Sequence, residues 1–171
     1  EQMLELVALE PFQKGFLAHT WPDQAGFFGD GKCAMAFMGN WMYGAQKGNS
    51  ASGEGLGDDN MGMFNMPMTA GGLGNPGDTL GGINGWLFSS SAPDSAVELI
   101  MHYTNKQIQS ADAAAGAYIP IVKGADASIQ NPFLKQVAKN IANSEYHQIF
   151  YDQFLGADIG RVVNDVSTDL A

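Results

Sequence analysis

An α/β fold is predicted by three features of the 171-residue sequence. Short apolar runs at residues 33–38, 61–66 and 83–89 alternate with stretches of helical periodicity. The first of these runs is apolar on both faces, as a strand covered on each side is. Apolar residues make up 45% of the chain and charged ones 15%, the balance of a globular domain rather than of a disordered chain or a coiled coil. Domains run to roughly 100 to 200 residues, so one is expected.

Residues 3–9 read as the end of an amphipathic helix with Leu4, Val7 and Leu9 on one side, closed before Pro11. Asp23 is placed to cap a short helix that carries Phe27 and Phe28 to the core and ends at Gly29 and Gly31. The doubly covered strand at 33–38 follows. Residues 48–60, rich in Gly, Ser, Asn and Asp, and residues 70–82, with six glycines and Pro76, read as surface loops. Between them, 61–66 before Pro67 reads as a second strand, and 83–89 as a third.

Ser91-Ala-Pro-Asp94 opens a helix with a capping hydroxyl, an early proline and a first-turn acid, followed by Val97, Ile100, Met101 and Thr104 at helical spacing. A helical stretch at 107–115 stops at Gly116, and 118–122 is extended because Pro120 restricts its predecessor. Asn131-Pro132 starts another helix, burying Leu134, Val137 or Ala138, and Ile141. The last helix carries Ile159, Val162, Val163, Val166 and Leu170 on one stripe.

Eight Lys and Arg against eighteen Asp and Glu give a net charge of −10, which repels phosphate backbones, and no basic cluster occurs. Nucleic acid is therefore not an expected partner. The single cysteine, Cys33, forms no intrachain disulfide and reads as a small buried hydrophobe. No run approaches the roughly 18 to 20 apolar residues of a membrane span, and Glu1-Gln2 does not open a signal peptide. A start at Glu1 rather than Met reads as that of a piece of a longer protein.

Gly72-Leu-Gly-Asn-Pro-Gly77 matches a dinucleotide string, but it sits in a glycine-rich loop instead of between a strand and a helix. Asp58-Asp59-Asn60 lacks the alternating oxygens and closing Glu of a calcium loop, and His19, His102 and His147 have no metal-ligand spacing. There is no G-x-S-x-G string. No catalytic residue, metal or cofactor is predicted. What stands out is a pair of indoles after glycine turns: Trp41 after Gly39-Asn40, and Trp86 after the turn through Gly81, Gly82 and Gly85. A Trp is usually core, but ligands of open α/β folds bind past the carboxyl ends of strands, where Trp41 would stand. An indole there can stack on a sugar ring while Asn40 and Asn84 meet its hydroxyls.

Phe28-x-x-Gly31-Lys32-x-Ala34-Met35 followed by Met38-Gly39-x-Trp41 resembles the signature of family 1 extracellular solute-binding proteins of ABC transporters. The likeness continues in order through Phe64-Asn-Met-Pro67, Gly81-Gly82, Ser89-Ser-Ser-Ala-Pro-Asp94 and Ile119-Pro-Ile-Val-Lys-Gly124, and so spans most of the chain. The resemblance implies a type II periplasmic-binding-protein fold. Residues 1–171 would be the C-terminal portion of a two-lobed protein, comprising the C-terminal lobe with part of the interlobe crossover region, and residues 82–118 would pack with the missing N-terminal lobe. It further implies a carbohydrate bound in a cleft between lobes that closes by a hinge, delivery to ABC permease subunits in the membrane, a periplasmic or extracellular location and a monomer.

Carried over by position, Trp41 matches the family's stacking residue and Gly82 its ligand-facing turn. Asn84 and Trp86 fall beside that turn, facing either cleft or core, and His147 lies where some relatives place a polar contact. Two alternatives stand beside this reading: a same-fold protein for a polyol or polyamine, or a carbohydrate-cleaving enzyme domain, for which no carboxylate pair is recognisable.

Overall fold

The computed structural model describes residues 2–82 and 84–170, and helices dominate it. They are α1 (Gln2–Ala8), α2 (Trp21–Gly29), α3 (Met42–Asn49), α4 (Asp94–Tyr103), α5 (Lys106–Ala115), α6 (Pro132–Asn143), α7 (Tyr151–Phe154) and α8 (Gly156–Leu170). Two three-residue strands, β1 (Thr79–Gly81) and β2 (His147–Ile149), pair in parallel, Thr79 opposite His147 and Gly81 opposite Ile149. The α/β expectation thus holds in a helix-rich form with a small sheet.

The closest helix pair is α2 on α3. Thr20 and Asp23 start α2 reciprocally: the Asp23 N–H donates to Thr20 Oγ1 at 3.5 Å, and the Thr20 N–H donates to Asp23 Oδ2 at 2.8 Å. Asp23, expected as the cap, is the third helical residue of that box, and Thr20 is the cap. These bonds hold the Asp23 carboxyl below its ordinary value. Gly29, expected to end the helix, is its last residue and is buried. A Cβ on Gly26 would strike the Asn49 carbonyl and one on Gly29 the Gln46 carbonyl, so two missing side chains set the helix separation. The reversal belongs to Gly31, at φ 71°.

Gln46 of α3 is fully buried. Its Oε1 accepts the Leu56 N–H at 2.7 Å and its Nε2 donates to the Leu56 carbonyl at 3.3 Å, which fastens the 50–56 loop to the helix. Asp30 Oδ1 accepts the Ala51 N–H at 2.8 Å, and this bond, with Lys32, holds its carboxyl low as well.

A second core joins Ala113 of α5, Ile129 and Leu134 of α6, with Ile119 and Ala138 packed against them. Here the sequence reading holds locally: α5 ends at Gly116 with φ 77°, and Asn131 caps α6 by accepting the Leu134 N–H at 2.9 Å, with Pro132 in the first turn. Buried Gln109 accepts the Ile121 N–H at 3.1 Å and donates to the Tyr118 hydroxyl at 2.9 Å, which in turn donates to Asp112 Oδ2 at 2.6 Å. Burial, then the Asp112 bond, pushes the Tyr118 phenol up. Ile141, expected in this core, is exposed on the last turn of α6.

The strand expectations fail. Residues 33–38, 61–66 and 84–89 carry no strand, and Phe37 (76% exposed), Phe64 (72%) and Leu87 (99%) stand in solvent. Ile83, the first residue of the expected third strand, lies outside the described residues. An apolar run becomes a strand only where a neighbour completes its ladder, and among the described residues no strand pairs with these three. Cys33 is accordingly half-buried, its thiol donating to Gln13 Oε1 at 3.2 Å. β1 instead falls within residues 70–82, expected as loop, and β2 in a stretch with no assigned element.

The helix α4 opens after Pro93 without a side-chain cap, since the Ser91 hydroxyl is bonded to that of Ser89 at 2.9 Å. Phe27 and Phe28 are half-buried, while Leu4, Leu9, Val97 and Met101 are exposed, as are Ile159, Val162 and Val166 of the α8 stripe. The chain exposes 12538 Å², against about 8,100 Å² expected from the mass scaling of folded monomers.

Candidate functional site

Gly39 and Asn40 form the expected turn: the Met42 N–H donates to the Gly39 carbonyl at 3.0 Å and the Tyr43 N–H to that of Asn40 at 3.3 Å. Trp41 is the residue that enters α3 from it. Its indole folds back over Gly39, where any Cβ would collide with the ring. One indole face is thereby backed by glycine, and the residue stays 45% exposed. No strand precedes it, so the reason for its exposure is corrected: a helix start, rather than the carboxyl end of a strand, holds it out. Asn40 is half-buried, and among the described residues its side-chain amide has no hydrogen-bond partner, leaving donor and acceptor free beside the indole.

A second cluster forms at the parallel strand pair. Gly82 follows β1, and a Cβ there would lie 3.3 Å from the Phe150 ring; at Gly81 it would lie 3.1 Å from the His147 ring. His147 Nδ1 and Thr79 Oγ1 are 2.8 Å apart, and Thr79 Oγ1 reaches the Ser144 hydroxyl at 3.2 Å. The Phe150 N–H donates to the Gly81 carbonyl at 3.2 Å. The fold thus brings the His147 ring to Gly81 and the Phe150 ring to Gly82, as the ladder pairs Leu80 with Gln148 and Gly81 with Ile149.

Asn84 is exposed. Trp86 is exposed too, with its ring edge-on to Tyr103 at 5.8 Å, and Tyr103 lies 6.4 Å from Tyr118. Among the described residues no aromatic pairing joins Trp41 to Trp86. Tyr103 and Phe150 escaped the sequence reading. Tyr103 carried a signal, since it extends the helical stripe of Ile100 by one turn; Phe150 carried none, because its place beside Gly82 depends on the β1–β2 pairing.

Both clusters combine aromatic faces with neutral polar groups. Among the described residues no three His, Cys, Asp or Glu side chains lie together in a way that could hold a metal ion, and no helix is long and apolar enough to cross a membrane. Such surfaces bind by stacking and hydrogen bonding.

No curated protein matches the chain. A family model described as bacterial extracellular solute-binding protein matches residues 9–143, a span that takes in α2, α3, the β1 strand, α4, α5 and α6 with the Trp41 turn. Binding of a small solute for transport, outside the cytoplasm and without catalysis, is the work of such a family. The chain belongs to the bacterial extracellular solute-binding proteins.

Proposed function

We propose that the protein binds a carbohydrate outside the cytoplasm and hands it to the membrane subunits of an ABC importer. The observation that carries this reading is the Trp41 indole, laid over Gly39 at the start of α3 with its outer face open and the unpaired Asn40 amide beside it. An aromatic face flanked by amides suits the C–H face and hydroxyl rim of a sugar ring. In this reading Gly82, Asn84 and Trp86, with His147, also contact the solute, and neither metal nor cofactor takes part.

The chain is the C-terminal portion of a two-lobed protein, with 82–118 packed on the other lobe. What supports this is the exposed area of 12538 Å², about 4,400 Å² above the expectation for a monomer of this mass. A standard interface covers about 800 Å² per partner, so the excess is that of an incomplete core rather than of one docking patch.

Isothermal titration with a panel of mono- and oligosaccharides tests the reading, with chromatography of the sugar after incubation. The expected result is binding of at least one sugar that is recovered unchanged, with Trp41→Ala weakening it by about 1 to 3 kcal/mol, or roughly 5- to 150-fold. Silence across the panel, or cleavage of the sugar, would overturn it.

A further inference from the structure

Away from Trp41, a groove of about 270 Å³ lies between α3, the 58–60 turn, the end of α5 and the start of α6. Tyr43 stands in it as the centre of a hydrogen-bond chain: Lys47 Nζ donates to the Tyr43 hydroxyl at 2.8 Å, and that hydroxyl donates to Asp58 Oδ1 at 2.9 Å. The phenol is thereby fixed in direction, and the lysine charge lies one hydroxyl away from the carboxylate. Asp58 Oδ2 accepts from no described residue. Nor does any described N–H reach the carbonyls of Ala114 and Ala115, the last two of α5, whose residues line the groove. Another wall holds Asn131, whose Oδ1 is used by the Leu134 N–H and whose Nδ2 meets no acceptor among the described residues.

We propose that this groove is a second ligand site, for a neutral, hydroxyl-rich solute of about one ring. The free Asp58 oxygen and the two helix-end carbonyls accept from hydroxyls, and the Asn131 amide donates to them. Lys47 offsets part of the Asp58 charge through Tyr43, so a ligand that only donates hydroxyls can be held here without carrying a charge of its own. The volume falls just below the roughly 300 to 1,000 Å³ of pockets for drug-sized ligands, which sets the size at a single ring. The small side chains of Ala114 and Ala115 leave the floor apolar and open. This site does not depend on the role given to Trp41.

The test is an amide-resolved NMR titration of the chain with D-glucose and with myo-inositol at millimolar concentration, read at Ala114–Gly116, at Gln130 and Asn131, and at the Trp41 indole N–H. The expected result is saturable shifts at the groove amides with at least one of the two probes, retained in Trp41→Ala. Asp58→Asn should weaken that response about tenfold or more, and Tyr43→Phe, which removes the bridging hydroxyl while keeping the ring, should weaken it severalfold. Unperturbed groove amides with both probes would overturn the proposal, and so would full affinity in Asp58→Asn. Shifts confined to the Trp41 indole would overturn it while leaving the sugar-binding role of Trp41 standing.

Discussion

Glycine 39 governs how Trp41 is presented. Its missing side chain leaves the space in which the indole lies, so Gly39→Ala should push the ring away from the turn. The expected outcome is a shift in tryptophan emission and weaker sugar binding, with Trp41→Ala abolishing the emission difference between the two position-39 variants. Thermal stability should change little in Trp41→Ala itself, because the residue is 45% exposed; a large loss of stability would return Trp41 to a packing role. The sequence made this residue legible through the string Met38-Gly39-Asn40-Trp41, since a turn closes within four residues. It did not reveal Tyr43 and Asp58, 15 residues apart and joined only by a tertiary hydrogen bond.

Individual elements are held by two different kinds of contact, and each yields a prediction. Thr20→Ala removes the cap of α2 and should cost about 1 kcal/mol in urea unfolding. Asp23 and Asp30 both have folded carboxyls lower than the 3.8 of their free forms, so they contribute stability above that pH and lose it as pH falls towards their folded values. Stability should therefore drop on acidification below about pH 4, with a shallower slope in Asp23→Asn. Gly29→Ala should destabilise the protein by about 1 to 3 kcal/mol through overpacking of α2 on α3, more than its gain in helix propensity returns. Leu134→Ala, in the core with Ala113 and Ile129, should cost about 2 to 5 kcal/mol. The caps and stops of α5 and α6 were legible as Gly116 and Asn131-Pro132, because they act on backbone groups three or four residues away. The buried glycine contact of α2 was not, since nothing in Ala25-Gly-Phe-Phe-Gly29 names the helix it meets.

At the scale of the whole molecule, the exposed apolar surface sets the behaviour to expect. If the chain is one portion of a larger protein, it should bind a hydrophobic dye strongly alone and weakly when joined to its other lobe; a dye-silent isolated chain would count against that arrangement. The sequence by itself determined the helix that stops at Gly116 and the one that starts at Asn131-Pro132, the turn before Trp41, the acidic and weakly charged composition, and the family. Only the tertiary structure decided that residues 33–38, 61–66 and 84–89 stay unpaired while Thr79–Gly81 and His147–Ile149 form the sheet. Helices, caps and turns complete their hydrogen bonds within a few residues, so their signals are local. A strand is completed by a neighbour that its own sequence does not contain, and the same holds for the approach of His147 to Gly81 and for the glycine faces of α2.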